Sequence, residues 1–372
     1  MTIFYETSMP YADAFFAGLG PCQGFSGGSV TPADLRDASM LLVRSTTKVD
    51  EALISQCEKL RFVATATAGF NHLDLDYLRN RNIPVYIAAG CNAVSVAEYV
   101  LSALVQSAGR LQWQWRDKTV GIVGAGQVGS ALAARLEALG VRYLLCDPPK
   151  QAAGDNREFV TMDAIMQCDV ITLHTPLVKN DDHPTLHLFD ATRLAQLSSN
   201  QLLINASRGE VVDNRALLEA FESGRKLNVI LDVWEQEPDI DTRLIPHVIF
   251  ASAHIAGHSI EGKARGTEMV YQAACEQLAM KANLSLAEFL PPAQPECFTL
   301  QDPQSADIDR LICAVYDISQ DDLRFRQQMR NASDFSALRK HYPIRRECSA
   351  YRLNAGKNSV SQALYGLGFQ PV

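Results

Sequence analysis

The stretch from Val120 to Ser130, which reads Val-Gly-Ile-Val-Gly-Ala-Gly-Gln-Val-Gly-Ser, constrains the fold more than any other part of the chain. Its apolar start predicts a buried strand, and apolar residues at helical spacing follow its glycines. Gly124, Gly126 and Gly129 therefore form a G-x-G-x-x-G turn between a strand and a helix, the context in which this motif binds a dinucleotide. The first glycine permits a tight turn, the second lets the backbone approach a pyrophosphate, and the third lets helix and strand pack closely. The stretch predicts a Rossmann-type unit.

An acidic residue after the next predicted strand indicates which cofactor binds. The strand Tyr143–Cys146 leads to Asp147, about twenty residues after the turn, where a carboxylate binds the ribose hydroxyls of NAD. The same carboxylate repels the extra phosphate of NADP, so the sequence favours NAD, although Lys150 lies close by. The predicted cofactor contacts are Gly124, Gly126, Gln127, Val128, Gly129, Asp147, Thr175, Ala206, Ser207, Arg208, Asp232 and Gly257.

Charge and cysteine content limit the class of protein. The 372 residues suffice for two or three domains, and the net charge of −8 argues against a nucleic-acid partner, whose phosphates attract a basic surface. Nine cysteines without a C-x-x-C pair are typical of reduced thiols in the cytoplasm. The N-terminus has no basic, apolar leader, and the most apolar predicted helix, Val94–Ala108, is too short to span a bilayer. We expect a cytoplasmic protein that does not bind membranes.

Residues 1–92 alternate short apolar strands with helical segments, which predicts a small parallel α/β sheet. The predicted strands are Thr2–Tyr5, Leu41–Arg44, Phe62–Thr65 and Val85–Ala88. Ligands bind beyond the carboxyl ends of parallel strands, so Arg44, Ser45 and Thr67 are candidate substrate contacts. Ordinary loop polarity is the alternative explanation.

Six further strands predict a doubly wound sheet in the central part of the chain: Val120–Val123, Tyr143–Cys146, Val170–Leu173, Leu202–Ile204, Val229–Leu231 and Val248–Phe250.

The helical segment from Ser259 is placed to fold back on the first unit. A proline-rich linker then precedes a tail whose simplest explanation is an oligomerisation domain. The sequence therefore predicts three domains: residues 1–92 together with 259–285, residues 93–258, and residues 286–372. The elements predicted in the tail are Phe298–Leu300, Ile308–Tyr316, Phe335–His341, Ser349–Leu353 and Ser359–Leu367.

Three residues suited to alcohol oxidation, Arg208, Glu237 and His254, each follow one of the last three strands of the central sheet. A histidine can take a hydroxyl proton near neutral pH. A carboxylate can orient it and stabilise the imidazolium, and an arginine can clamp the carboxylate of a substrate. Singly, each residue also fits a structural role, but their coincidence at one sheet edge favours catalysis.

Other polar residues receive weaker assignments. Thr175 is predicted to touch the cofactor, and Asp232 to accept a hydrogen bond from its amide group. The histidines at four other positions show no metal-ligand spacing, so the sequence predicts no metal site: these are His72, His183, His187 and His341.

Four motifs together resemble those of the D-isomer-specific 2-hydroxyacid dehydrogenases: Gly-Ala-Gly-Gln-Val-Gly, Asn-Ala-Ser-Arg-Gly, Asp-Val-Trp-Glu-Gln-Glu-Pro and Ala-His-Ile-Ala-Gly. The resemblance implies that Arg208, Glu237 and His254 are the catalytic trio, with His254 as acid and base. It implies an α/β architecture in which a Rossmann-type NAD domain and a discontinuous flavodoxin-like substrate domain flank a cleft. It also implies that the long helix near Val94 helps to form a dimer.

A narrower match is carried by Val-Arg-Ser-x-Thr-Lys-Val, Thr-Ala-Thr-Ala-Gly, Gly-Cys-Asn-Ala-Val and the C-terminal extension. These resemble the family members that oxidise 4-phospho-D-erythronate to (R)-3-hydroxy-2-oxo-4-phosphooxybutanoate in pyridoxal 5'-phosphate (vitamin B6) biosynthesis. In them the extension is a small α+β dimerisation domain. The match implies substrate contacts at Ser45, Thr67 and His258, with His258 in place of the usual tyrosine. The phosphate requires a cation, for which Arg44 is expected, or Arg345 or Arg346 reaching across a dimer interface.

Two alternatives stay open at this point. Another member of the family, such as a D-3-phosphoglycerate dehydrogenase, would act on a substrate shorter by one CHOH unit. An NAD-sensing, corepressor-like binding protein belongs to a different class. The lack of disordered Pro/Ser-rich tails and the third domain argue against that class.

Overall fold

The computed structural model describes residues 2–372. All named strands in this range pair in parallel, within three sheets. Parallel neighbours need crossover connections, which helices and loops supply. The predicted α/β class is therefore confirmed. By their internal contacts the residues form two units, one up to Asn92 with His258–Pro292, the other Ala93–Gly257 with Ala293–Val372. The three-way division made from the sequence stays a prediction.

The first unit contains a five-stranded sheet in the order β2-β1-β3-β4-β5, the flavodoxin-like arrangement. Its elements are β1 (Thr2–Glu6), α1 (Ala12–Phe16), β2 (Cys22–Phe25), β3 (Ala38–Val43), α2 (Glu51–Ile54), β4 (Phe62–Thr65), α3 (Leu75–Asn80), β5 (Val85–Ile87) and α10 (Ile260–Gln277). The four predicted strands are present. β2 was missed because it is a short, partly exposed edge strand without an apolar pattern.

Helix α10 joins this unit although it lies far along the chain. Ser259 begins it, since the Ser259 hydroxyl accepts a hydrogen bond from the backbone N–H of Gly262 at 2.8 Å. The helix then packs directly on the end of β4, because a Cβ atom on Gly266 would lie only 2.4 Å from the carbonyl oxygen of Ala66. This contact brings residue 265 next to the loop that follows β4.

The second unit contains a six-stranded sheet in the order β11-β10-β9-β8-β6-β7. The elements of this part are α4 (Ala93–Leu111), β6 (Val120–Val123), α5 (Gln127–Ala138), β7 (Tyr143–Cys146), α6 (Pro148–Ala152), α7 (Met162–Ile165), β8 (Val170–Leu173), α8 (Ala191–Gln196), β9 (Leu202–Asn205), α9 (Asn214–Glu222), β10 (Asn228–Leu231) and β11 (Phe250–Ala251). Beyond edge strand β7, the N–H of Val160 donates to the carbonyl of Leu145 at 2.8 Å. This single bond lies where a Rossmann sheet usually has a further strand.

The last strand of that sheet begins later than the sequence predicts. The prediction was Val248–Phe250, whereas β11 covers Phe250–Ala251. The carbonyl of Val248 instead accepts a hydrogen bond from the guanidinium of Arg326, at 2.8 Å. A side chain from the C-terminal segment therefore binds the backbone at this point.

The C-terminal segment packs within the second unit, on α4 and α5. Its elements are β12 (Cys297–Leu300), α11 (Ser305–Val315), α12 (Ile318–Gln328), α13 (Ala332–Lys340), β13 (Arg352–Ala355), α14 (Ser359–Leu367) and β14 (Gln370–Pro371), with the sheet order β12-β13-β14. Helix α12 was not predicted, because its sequence is mostly polar. The predicted strand Ser349–Leu353 begins only at Arg352.

The long helix α4 packs against helices of the C-terminal segment. Apolar side chains such as Val96 and Leu104 lie in one buried cluster with Leu311 of α11 and Leu364 of α14. The C-terminal segment therefore covers part of α4, and the expectation that this helix also helps to form a dimer stays a prediction. Among residues 2–372, no helix is both long enough and apolar enough to cross a membrane.

Candidate active site

The glycine turn has the geometry that its sequence predicts. Gly124 has a positive φ of 92°, and a Cβ atom there would lie 2.6 Å from the carbonyl oxygen of His174. A Cβ atom on Gly129 would lie 2.1 Å from the carbonyl oxygen of Gly124, so only glycine lets α5 start this close to β6. A Cβ atom on Gly126 would meet nothing within 4 Å. The first and third glycines are thus required by the fold, and the second borders open space.

The surroundings of this turn fit a dinucleotide. The N-terminus of α5 points unpaired N–H groups at a ligand that approaches Gly126. After β8, the hydroxyl of Thr175 and Nδ1 of His174 are buried and have no hydrogen-bond partner among the described residues. Buried polar atoms are normally paired, so such orphans indicate a missing partner. The predicted contact at Thr175 is compatible with this observation and stays a prediction.

Asp147 and Arg157 fix the glycine turn from outside. The Asp147 carboxylate accepts hydrogen bonds from the N–H groups of Ala125, at 2.8 Å, and Lys150, at 3.1 Å. The second bond caps α6. Arg157 donates to the carbonyl of Ala125 at 3.0 Å and to the hydroxyl of Ser130 at 2.8 Å. Arg157 was not singled out in the sequence, since it belongs to no motif.

Arg208 follows β9 and is held by a close backbone packing. A Cβ atom on Gly209 would overlap the carbonyl group of Trp234 at 1.9 Å, so glycine lets the two loops touch. The Arg208 guanidinium donates to the carbonyl of Ser207 at 2.7 Å. Burial lowers the pKa of Arg208, and the carboxylates of Glu237 and Glu210 offset part of that change. A partly buried cation therefore lies near Glu237, suited to binding a carboxylate.

Glu237 and His254 form a hydrogen-bonded pair. Nδ1 of His254 lies 2.7 Å from Oε2 of Glu237, and Oε1 of Glu237 accepts the N–H of Trp234 at 2.9 Å. Burial acts to raise the pKa of Glu237, but His254, the Trp234 N–H and Arg339 lower it overall. His254 has a positive φ of 55°, a strained conformation for this residue type that is common at functional sites. The carboxylate orients the ring through Nδ1, so Nε2 is the ring nitrogen that Glu237 does not engage.

Asp232 holds the backbone of the segment that carries His254. Its carboxylate, 1% exposed, accepts hydrogen bonds from the N–H groups of Ile255, at 2.8 Å, and Ala256, at 3.0 Å, and from the Ser252 hydroxyl, at 2.7 Å. Its carbonyl accepts the N–H of His254 at 2.7 Å. The predicted contact with the cofactor amide stays a prediction, and the observed role of Asp232 is structural.

In the first unit, Glu6 organises the predicted substrate loop. This fully buried carboxylate accepts hydrogen bonds from the N–H of Arg44, at 2.9 Å, and from the hydroxyls of Thr46, at 2.6 Å, and Thr47, at 2.7 Å. Burial acts to raise the pKa of Glu6, but the Ser8, Thr46 and Thr47 hydroxyls and the Arg44 N–H lower it. The loop that contains the exposed Ser45 therefore has a fixed backbone.

Thr67 lies in a second polar network of this unit. Its hydroxyl donates to the carbonyl of Gly69 at 2.8 Å and lies 2.7 Å from the hydroxyl of Thr65. Nε2 of His72 lies 2.9 Å from the same Thr65 hydroxyl. Burial lowers the pKa of His72 to about 4, so its ring is neutral at physiological pH. Thr67 and the loop after β4 are thus held by neutral groups.

A second arginine lies near Arg44 and was missed in the sequence. Arg265 of α10 donates to the carbonyl of Cys91 at 2.5 Å. Burial raises the pKa of the Cys91 thiol to about 11, and the positive charges of Arg44 and Arg265 oppose that rise. Both guanidinium groups therefore act on one buried thiol, which places positive charge at the carboxyl ends of β3 and β5. The sequence feature that could have pointed to Arg265 is the helical segment from Ser259, which was predicted to fold back on this unit.

Arg345 contradicts one expectation. It was a candidate phosphate ligand across a dimer interface, but it is only 5% exposed and donates to the carbonyls of Ala256 and Ser95 in its own chain. His258, the partly exposed residue in the predicted tyrosine position, stays a predicted substrate contact. The cofactor contacts expected at Gln127, Val128, Ala206, Ser207 and Gly257 also stay predictions.

One cluster has the composition of a metal site that the sequence did not predict. One ligand atom from each of His187, Asp213 and Glu235 lies within 4.8 Å of the others. His187 Nε2 lies 2.7 Å from Glu235, and the other carboxylate oxygen of Glu235 accepts the N–H of Asn214 at 2.8 Å. Asp213 caps α9. The side chains of His187, Asp213 and Glu235 therefore each have polar partners within the protein.

Two family models match parts of the chain. Residues 93–256 match the model described as D-isomer specific 2-hydroxyacid dehydrogenase, NAD binding domain. Residues 289–368 match a model described as a domain of unknown function. The first match covers the glycine turn and the trio Arg208, Glu237 and His254, and the second covers the C-terminal segment.

Similar proteins extend over the whole chain. An erythronate-4-phosphate dehydrogenase of Pseudoalteromonas atlantica is 55% identical over 371 residues, which are 99% of this chain and 99% of that protein. The erythronate-4-phosphate dehydrogenase of Colwellia psychrerythraea is 45% identical over 391 aligned positions, again 99% of each. Identity at this level over the full length indicates a common family.

Solved structures of lower identity share the fold. The NAD⁺-bound 3-phosphoglycerate dehydrogenase of Entamoeba histolytica has a TM-score of 0.62 at 22% identity and covers 78% of this chain and 99% of its own. The D-lactate dehydrogenase of Aquifex aeolicus, complexed with NAD and lactic acid, has a TM-score of 0.58 at 24% identity and covers 75% and 96%. The predicted Rossmann-type NAD domain is confirmed.

Proposed function

The chain belongs to the D-isomer-specific 2-hydroxyacid dehydrogenase family, and we propose that it oxidises 4-phospho-D-erythronate to (R)-3-hydroxy-2-oxo-4-phosphooxybutanoate with NAD, within pyridoxal 5'-phosphate biosynthesis. The substrate comes from the names of the full-length relatives. The chemistry is supported by one observation above all, the 2.7 Å pair between His254 and Glu237 near the partly buried Arg208. An acid and base, its orienting carboxylate and a cation for the substrate carboxylate are present together.

The roles of these residues follow from their contacts. The glycine turn and the N-terminus of α5 would hold NAD, which would supply the acceptor for the hydride from C2 of the hydroxyacid. Nε2 of His254 takes the proton of the C2 hydroxyl, and Glu237 stabilises the resulting imidazolium through Nδ1. Arg208 binds the substrate carboxylate and the C2 oxygen, which orients the substrate and favours the developing carbonyl. In the reverse direction His254 returns the proton.

The phosphate of the substrate calls for positive charge, and we propose Arg44 and Arg265 as its source. Arg44 and Arg265 both act on the region of Cys91, and two guanidinium groups suit a phosphate dianion. Ser45 and Thr67 are proposed as hydroxyl contacts to the substrate, and His258 as a hydrogen-bond donor in the position of the usual tyrosine. The rigid loop held by Glu6 supports the assignment of Arg44 and Ser45.

The test is NADH formation by the purified protein with 4-phospho-D-erythronate and, separately, with D-3-phosphoglycerate, while the ketoacid is trapped. We expect a large preference in kcat/KM for the first substrate. A preference for the second would retain the family and replace the substrate. If neither is oxidised while NAD binds, the proposal is wrong and a binding protein that senses NAD becomes the better explanation.

We also propose a homodimer formed through the C-terminal segment. Two apolar residues of this segment, Ile344 and Leu323, are 77% and 51% exposed, which supports an interface at this surface. Light scattering after size exclusion should give twice the 40.9 kDa of the chain, and Ile344→Asp should give the monomer. A wild-type monomer at micromolar concentration would contradict this proposal.

A cytoplasmic location is proposed from the nine cysteines, all of which are free thiols in the structure. Thiol titration of protein unfolded without reductant, directly after extraction, should find nine thiols. A consistently lower number would indicate disulfides and an oxidising compartment.

A further inference from the structure

Arg345 connects the C-terminal segment to the backbone that carries His254. Its guanidinium donates one hydrogen bond to the carbonyl of Ala256, at 2.9 Å, and another to the carbonyl of Ser95 in α4, at 2.7 Å. Ala256 lies two residues after His254. The side chain is 5% exposed, so these bonds are not weakened by water.

The guanidinium has little freedom to move. Its central carbon lies 3.5 Å from the centre of the Tyr316 ring, a close cation–π contact. The Tyr316 hydroxyl is itself fixed, because it donates to Asp321 at 2.9 Å, as does the Tyr342 hydroxyl at 2.6 Å. The planar fork of an arginine can stack on a ring and bind two carbonyls at once, which a lysine cannot do.

The segment after His254 is held from both sides as a result. On one side, the Asp232 carboxylate accepts the N–H groups of Ile255 and Ala256. On the other side, Arg345 binds the carbonyl of Ala256. His254 has a strained positive φ, and such a conformation persists only where its surroundings impose it. Two clamps on adjacent peptide groups provide that constraint.

Helix α12 holds the other end of the same stretch. The Asp322 carboxylate accepts the N–H of Ala251 at 2.8 Å, and Arg326 donates to the carbonyls of Val248, at 2.8 Å, and Ile245, at 2.5 Å. Asp322 and Arg326 also pair with each other at 2.8 Å. The C-terminal segment thus contacts the backbone both before and after His254.

We propose that the C-terminal segment, which matches a domain of unknown function, is a structural part of the catalytic site: it fixes the backbone on both sides of His254, with Arg345 as the main positioning residue. This inference rests on the proposed dehydrogenase function. It gives the segment a role within one chain, separate from any part in a dimer.

The main experiment compares Arg345→Gln and Arg345→Lys with Arg330→Gln as the matched control. Arg330 lies in the same segment, but its guanidinium donates to carbonyls at the end of α12. Misplacing a catalytic group by about 1 Å costs about 10²-fold in rate, so kcat of Arg345→Gln should fall by roughly that factor. KM and the Kd of NAD should change by less than about threefold, because Arg345 binds backbone carbonyls of its own chain and is not among the proposed ligand contacts. Arg345→Lys should recover part of kcat, and Arg330→Gln should match the wild type.

Hydrogen exchange provides a readout that does not depend on turnover. The amides of residues 251–257 should exchange faster in Arg345→Gln than in Arg330→Gln, while the amides of β6 and α5 stay protected. If wild-type protein does not oxidise 4-phospho-D-erythronate, the proposed function fails. The exchange result still shows whether Arg345 holds the backbone of residues 251–257. If Arg345→Gln does not fold, Arg345→Lys decides. A folded Arg345 variant with wild-type kcat and wild-type exchange at 251–257 would overturn the inference.

Discussion

Nδ1 of His254 lies 2.7 Å from Oε2 of Glu237, although the two residues follow different strands of the sheet, β11 and β10. The second carboxylate oxygen of Glu237 is occupied by the N–H of Trp234. Glu237 can therefore turn neither away from the ring nor towards solvent without losing a bond. The pair engages Nδ1 of His254, so Nε2 is the nitrogen that we propose for the substrate.

Glu237→Gln tests this relationship directly. The amide keeps the shape of the carboxylate but cannot stabilise an imidazolium, so kcat should fall by roughly 10²- to 10⁴-fold. Steady-state rates with 4-phospho-D-erythronate measure the loss, and NAD titration by fluorescence serves as the control because Glu237 does not touch the glycine turn. A loss of less than about threefold would show that Glu237 has no catalytic role.

Arg265→Gln and Arg44→Gln test the proposed phosphate contacts. Each change removes a charge-assisted hydrogen bond, worth about 1.5–3 kcal/mol, so KM for 4-phospho-D-erythronate should rise roughly 10- to 100-fold. Turnover of unphosphorylated D-erythronate should be nearly unaffected. Arg79→Gln is the matched control, since Arg79 only forms an exposed ion pair with Asp76 on α3. Equal effects on both substrates would remove the two arginines from the phosphate role.

Thr175→Val tests the orphaned hydroxyl near the glycine turn. Valine keeps the branched shape, so the ligand-free protein should be at least as stable as the wild type, because a buried unpaired hydroxyl is removed. The affinity for NAD should fall roughly 5- to 10-fold if that hydroxyl binds the cofactor. Calorimetric titration with NAD measures the change, with the exposed Thr299→Val as control. An unchanged Kd would separate Thr175 from the cofactor.

Glu98 should make stability depend on pH. Burial and the nearby Glu347 raise the pKa of this carboxyl from 4.5 to about 7, against the opposing charges of Arg135 and Arg345 and a hydrogen bond from the Cys348 N–H. The unfolded chain releases this proton at lower pH than the folded one, so Glu98 reduces stability as pH rises from about 4.5 to about 7. In Glu98→Gln that part of the decline should be absent.

Urea unfolding at several pH values between 4.5 and 8 measures this effect. The difference in unfolding free energy between Glu98→Gln and the wild type should become more favourable to the variant as pH increases. Glu137→Gln, a change on α5 at an exposed position, serves as the control. Parallel curves for wild type and Glu98→Gln would show that Glu98 does not titrate in this range.

The sequence determined the parts of the protein whose signal is local. The glycines of the turn fix a strand, a tight turn and a helix within eleven residues, because no other residue fits at Gly124 and Gly129. The order of strands and the residues after them also placed Arg208, Glu237 and His254 at one edge of a sheet, since parallel strands present their carboxyl ends together. A hydrogen-bonded pair between two of these residues was therefore predictable.

Only the tertiary structure decided which residues support that edge. The segment Ile318–Gln328 is mostly polar, so its sequence did not predict helix α12. In the structure this helix packs against β11, because Asp322 and Arg326 bind backbone groups that are distant in sequence. Arg345, expected as a surface ligand for phosphate, is buried for the same reason. Hydrogen bonds from side chains to distant backbone groups leave no periodic pattern in a sequence. The partners exist only once the chain has folded.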